Sequence, residues 1–228
     1  MEEKELKIIK EGKTGYGILI ENDGYMYVKN PQTIKEGLEN GEWYVPYPFV
    51  VDAVLQKFGV KNANGRIYPE VTLKKQVELY QQKIDERRAL GELNHPSEST
   101  IDLGRIAINI VELHWEGATL VGKLEINTSH GFRKYGIVTT RGDEMANLLL
   151  NGYKIGVSSR GVGSVEQRLG QNIVGDDFEL ICWDVVSDPS TPGAWIGDSG
   201  ELQQYVESKV SRPSLNEKIE KIKNILNS

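Results

Sequence analysis

The chain has a single cysteine, Cys182, and only three histidines, His95, His114 and His130. One cysteine excludes an intrachain disulfide and a zinc knuckle. Three unpaired histidines without ligand spacing leave no pattern for a zinc centre, so neither metal nor organic cofactor is implied. No apolar run reaches the length of a membrane span. The first residues, MEEKELKIIKEG, are charged and lack a signal-peptide core. Acidic residues outnumber basic ones, 33 to 27. With no basic stripe interleaved with aromatics, nucleic acid is not an expected partner. Neither an internal repeat nor a low-complexity tract is present. The expectation is a soluble protein of the reducing cytosol, and 228 residues suffice for one domain with an appendage.

Hydrophobic patterning supplies the elements. ILIENDGYMYV reads as a hairpin turning at Asn22-Asp23-Gly24. Residues 44–58 read as an irregular strand, and 62–69 as a loop rich in Asn, Gly and Pro. Leu73, Val77, Tyr80 and Ile84 share one face of a helix. Ile106, Ile108 and Ile110 alternate as in a half-buried strand; a turn at residues 115–118 and a return strand over 119–126 follow. A short helix over 142–150 stops at Asn151-Gly152, and strands are expected over 153–159 and 178–186. Asp188-Pro189-Ser190-Thr191-Pro192 ends the last of them. A polar tail, 200–228, carries a short amphipathic helix that Ser214 and Glu217 would cap. About seven strands in hairpins with three helices predict an α+β protein, mostly an antiparallel β-barrel with helices around it, and no doubly wound sheet.

Two strings carry chemistry. GELNHPS holds His95 in a tight turn, and GVSSRG holds Ser158 and Ser159 at the end of an apolar strand. A serine becomes a nucleophile when a neighbouring base takes its proton, and histidine is the usual base near neutral pH. His114, beside a hairpin turn, and His130, in NTSHGF, read as structural. Ser158 shares a strand face with Gly156 and Arg160, which leaves room for a peptide. Ser159 follows Ile155 and Val157, whose face belongs to the core, so Ser158 is favoured. The backbone of Ser159 and Gly161, with the charge of Arg160, is the expected oxyanion and substrate-binding group. Asp184 falls on the apolar face of FELICWDVV. A carboxylate there needs a partner, and an imidazole N–H is one. Asp102, Asp177 and Asp188 are weaker candidates for that third position.

GELNHPS, DLGRIAINIVEL, GVSSRGVGS and DFELICWDVVSDPSTPGAW occur in that order, preceded by an N-x-N-x-R-x-Y-P element, Asn62 to Pro69. Together, over residues 48–196, they resemble the prohead core proteases of large tailed phages. The resemblance implies a fold similar to the herpesvirus assembly proteases, β-barrels ringed by helices; the protease domain is expected over 1–199. The resemblance also implies Ser158 as nucleophile, His95 as base and Asp184 as third member. The implied activity is endoproteolysis of phage scaffold, core and major capsid proteins after glutamate, inside the procapsid in the host cytoplasm. Self-association stands as a further contact. Leu215-Asn216-Glu217 fits an apolar-x-Glu self-cleavage site, although Glu217 equally serves a capping box and similar triplets end at Glu21, Glu86, Glu92 and Glu112. The rival reading is a non-catalytic virion assembly protein on the same fold.

Overall fold

Glycines placed where strands must nearly touch set the shape of this molecule, a computed structural model that describes residues 6–27 and 45–187. Strand β1 spans Gly15–Tyr27, β2 Val50–Lys57 and β3 Arg66–Ile67. Helix α1 spans Glu70–Asp85, followed by β4, Leu90–Glu92, and a 3-10 turn, Leu103–Arg105. Strands β5, Ile106–Glu116, and β6, Thr119–Ile126, form the expected hairpin, with Gly117 at φ +59° in its turn. Helices α2, His130–Tyr135, and α3, Arg141–Leu150, precede β7, Gly156–Arg168, β8, Gln171–Val174, and β9, Glu179–Val186. The strands form one sheet in the order β3-β8-β7-β1-β2-β6-β5-β4, with β9 also on β7. All pairs but β3–β8 are antiparallel. The fold is α+β, with a curled, partly open sheet and a few helices. The chain divides into two compact units at residues 194 and 195, and all described residues lie in the first. The expected turn at 188–192, the tail and Glu217 lie outside the described residues.

Helix α1 packs the predicted stripe inward: Leu73, Val77, Tyr80 and Ile84 are all buried. Each such side chain contributes roughly 1.5–3 kcal/mol on burial. Tyr80 meets Trp183 of β9 edge-to-face at 4.9 Å. The same helix satisfies a bulge in β9. The register slips between Arg160 and Gly161, and there Leu180 N–H donates to Gln76 Oε1 at 3.0 Å while Lys83 Nζ donates to the Ile181 carbonyl at 2.8 Å. A buried glutamine on a helix thus has a backbone partner, as burial requires. Helix α3 opens on a capping box between Thr140 and Asp143. Asp143 also accepts from Ser129 N–H at 2.7 Å, which ties α2 to α3.

Several expectations change: strand β3 lies within the expected loop over 62–69, and helix α2 has no counterpart among the expected elements. The hairpin at Asn22-Asp23-Gly24 does not form; β1 runs through it without a break. Glu21 lies opposite Ser159 and Gly24 opposite Val157, so the triplet is absorbed as a one-residue bulge. Residues that permit a turn also permit a bulge, and the long β7 supplies partners on both sides of it. The strand expected to end at Ser159 continues to Arg168. Gly161 and Gly163, beyond the expected strand end, lie within the strand, where Phe178 packs against them. A Cβ on Gly161 would sit 2.3 Å from the Phe178 ring, and one on Gly163 would sit 2.8 Å from the Phe178 Cα.

The curl brings β4 to β9, where Leu93 and Val185 form one isolated bridge. Gly91 makes that approach feasible: a Cβ there would lie 2.1 Å from the Trp183 carbonyl oxygen and 2.7 Å from Ile108. Gly91→Ala should therefore force the strands apart and lower stability by roughly 1–3 kcal/mol, as overpacking does. Urea unfolding checks this; an unchanged midpoint would mean that β4 and β9 do not approach so closely.

Candidate active site

Ser158 on β7 and Asp184 on β9 are direct register partners, so their side chains project from the same face of the sheet. Arg160 and Cys182 are the next pair on that face. His95 comes from the segment after β4. Its neighbour Asn94 adopts φ +66°, a conformation asparagine tolerates, and Asn94 N–H donates to the Val185 carbonyl at 2.8 Å. The imidazole lies between the other two side chains, with Nδ1 3.0 Å from Asp184 Oδ2 and Nε2 in hydrogen-bond contact with Ser158 Oγ. Ser158 and Asp184 are fully buried and His95 is largely covered.

The tautomer follows from Asp184. Burial pushes its carboxyl group up, but the hydrogen bond from His95, the charge of Arg160 and the Glu92 N–H at 3.0 Å outweigh burial and hold it below the usual carboxylate range. An ionised carboxylate only accepts, so His95 Nδ1 carries a proton and Nε2 is free to accept from the Ser158 hydroxyl. Cys182 Sγ lies 3.3 Å from Asp184 Oδ1, and burial raises its thiol well above the ordinary range, so it is a neutral neighbour.

Arg160 is fully buried and all its donors are engaged. Nε donates to Asp184 Oδ2 at 2.9 Å, and Nη1 to the carbonyls of Glu98 at 2.6 Å and Thr100 at 3.1 Å. Nη2 donates to Glu92 Oε1 at 2.9 Å and lies 3.4 Å from Asp184 Oδ1 and 3.3 Å from Cys182 Sγ. The charge expected to face an oxyanion is turned instead toward these carboxylates and carbonyls, because unpaired buried carboxylates would be costly. Ser159 and Gly161 are also interior to β7, laddered to β1 on one side and β9 on the other.

Glu92 is a site residue that sequence reasoning missed. Besides Arg160, its Oε1 accepts Asp102 N–H at 2.9 Å, and its Oε2 pairs with Arg105 Nε at 3.3 Å. It thereby closes the base of the 93–102 segment that carries His95. Strand β4 is only three residues long, too short to show an alternation that would mark Glu92 as inward. The remaining candidates lie elsewhere. Asp102 caps the 3-10 turn, Asp177 bonds Ser164, and His114 is exposed beside Glu112 and Glu116. His130 begins α2. The N-x-N-x-R-x-Y element encloses a different carboxylate, Glu21 of β1, which accepts from Asn62 at 2.7 Å, Asn64 at 2.6 Å, Arg66 at 2.7 Å and Tyr68 at 2.9 Å. Glu21 is the register partner of Ser159, so it belongs to the face opposite Ser158.

Known proteins resemble this chain in sequence and in fold. The family model for the prohead core protein serine protease matches residues 15–204. The prohead core protein protease of Enterobacteria phage T4 is 35% identical over 150 residues, 64% of this chain and 66% of that protein, just under two thirds of its length. The structure of the bacteriophage T4 capsid assembly protease, gp21, superposes with a TM-score of 0.60 at 27% identity, covering 75% of this chain and 98% of that one. A fold, a Ser–His–Asp arrangement and a family match over most of the chain coincide: the chain belongs to the prohead core protein serine protease family.

Proposed function

We propose that this chain is a serine endopeptidase that cleaves the scaffold, core and major capsid proteins of a phage during procapsid maturation, with Ser158 as nucleophile, His95 as general base and Asp184 as its orienting carboxylate. The observation that carries this reading is the single imidazole bonded to Ser158 Oγ through Nε2 and to Asp184 through Nδ1. His95 takes the Ser158 proton as Oγ attacks the scissile carbonyl, and Asp184 stabilises the imidazolium that forms. His95 then protonates the leaving amine, and water, activated by the same imidazole, hydrolyses the acyl-enzyme. Cleavage after glutamate, the procapsid in the host cytoplasm and self-association belong to the same reading.

Ser158 has no exposed surface, so a peptide carbonyl reaches Oγ only after the layer over it moves. Because Arg160 is fully engaged, backbone N–H groups are left as the donors to the oxyanion. The curled sheet is further proposed to complete a herpesvirus-protease-like barrel, a reading supported by the Leu93–Val185 bridge.

A fluorophosphonate probe is expected to label Ser158 and no other residue, read by mass spectrometry of the labelled peptide. Ser158→Ala should lower cleavage of the phage core protein by roughly 10⁴-fold or more with the circular dichroism unchanged. Cleavage at the parental rate would refute the assignment, and loss of activity in Ser159→Ala alone would move it to the neighbour.

Asp184 is more acidic in the folded than in the unfolded chain. The native state therefore gains stability from its ionisation above the ordinary carboxylate range and loses that gain as pH falls through the lowered value. Denaturant unfolding between about pH 6 and about pH 2 should show Asp184→Asn less stable than wild type at the upper end, with the gap closing toward acid. A gap independent of pH would contradict the ionised state.

A further inference from the structure

Arg160 and Glu92 are buried charges that touch the Ser158–His95–Asp184 group without belonging to it. We propose that both are positioning residues of the peptidase reaction: Arg160 holds Asp184 and the His95 segment in one arrangement, and Glu92 offsets the charge of Arg160 so that the charge of Asp184 remains available to His95. This rests on the peptidase reading above.

The positioning half follows from the guanidinium's reach. Nε lies 2.9 Å from Asp184 Oδ2 and Nη2 3.4 Å from Oδ1, a two-point contact that stops the carboxylate rotating. Nη1 binds the carbonyls of Glu98 and Thr100, within the segment that carries His95. One planar group thus joins β7, β9 and the His95 segment. A lysine, a point charge on a flexible stem, cannot reproduce that fork.

The electrostatic half follows from counting charges. Asp184 paired with Arg160 alone would be neutral, and an imidazolium beside a neutral pair gains little. Glu92, 2.9 Å from the guanidinium, returns the trio to a net charge of −1. Other titratable groups of the described residues lie around this trio. Cys182 on β9 and Tyr80 on α1 are both raised by burial and stay protonated. Lys83 on α1 donates to the Ile181 carbonyl. Arg105 pairs with the far oxygen of Glu92 from a partly exposed position, so water screens it.

Two charge substitutions of opposite sign test this in the full chain. Glu92→Gln keeps an acceptor for Asp102 N–H and Arg160 but removes one negative charge. Its imidazolium is less favoured, so the acid limb of the kcat/KM profile should move to lower pH by roughly half a unit. Arg105→Gln removes positive charge, and its acid limb should move the other way by a smaller amount. Arg160→Lys keeps the charge and loses the fork. It should lower kcat about tenfold or more, with KM and the acid limb unchanged. An acid limb that stays at its wild-type pH in both Glu92→Gln and Arg105→Gln overturns the electrostatic half, as does movement of both in one direction. If Glu92→Gln does not fold, Arg105→Gln decides by the direction of its limb. Wild-type kcat in Arg160→Lys overturns the positioning half. Labelling of Ser158 in the unsubstituted protein by a fluorophosphonate separates the two levels. Labelling without these effects overturns the inference alone, and absence of labelling overturns the peptidase reading and the inference with it.

Discussion

The ion pair between Arg160 on β7 and Asp184 on β9 is the constraint on which the site depends. Both groups are wholly removed from water, and an isolated charge of either sign would be costly there. Removing one partner of such a pair typically costs about 3–5 kcal/mol, because the other is left uncompensated. The pair therefore fixes which face of two neighbouring strands carries charge. Register then sets Ser158 opposite Asp184 on that face. What remains is to deliver an imidazole, and the 93–102 segment does so while its own carbonyls bind the same arginine. The site is a buried charge network that has drawn a loop over itself.

That network needs the sheet to curl, and the curl needs strands to approach more closely than side chains normally allow. Gly91 lets β4 reach the Trp183 carbonyl, one residue before Asp184, and Gly161 lets Phe178 fill the space beneath β7. The bulge in β9 lies between these contacts, its freed groups bonded to Gln76 and Lys83 of α1. Bulges are frequent next to active sites because they re-aim a strand locally. Here the bulge separates a regular ladder, which holds Ser158 and Asp184 in register, from the stretch packed against Phe178. The burial of Ser158 has a physical reading too. An ionised network excluded from water holds its geometry well.

Helices α1 and α3, the β5–β6 hairpin and the three convergent side chains were legible in the sequence for distinct reasons. Leu73 to Ile84 repeat with helical period, Ile106 to Ile110 alternate, and Asp184 interrupts an apolar strand face, where a buried carboxylate calls for a partner. The course of β1 through Asn22-Asp23-Gly24 was not legible, because turn and bulge draw on the same residues and only the partner strand chooses between them. Glycine likewise reads as a loop signal, yet Gly161 and Gly163 answer to Phe178, a residue distant in sequence. Arg160 was legible as important and not as to its direction. Its charge could serve an oxyanion or a carboxylate, and the two acidic partners that decide the matter lie on other strands. Glu92 and the Glu21 enclosure were illegible because both are long-range polar contacts, which leave no periodic trace.

The proton shared between His95 and Asp184 offers the most direct test of this account. An imidazole N–H bonded to a buried, ionised carboxylate gives a proton resonance far downfield of the amide envelope. The account predicts such a resonance in the wild-type protein at neutral pH, lost in Asp184→Asn and retained in Ser158→Ala. A spectrum without it, or one in which it survives Asp184→Asn, would contradict the convergence of these three side chains.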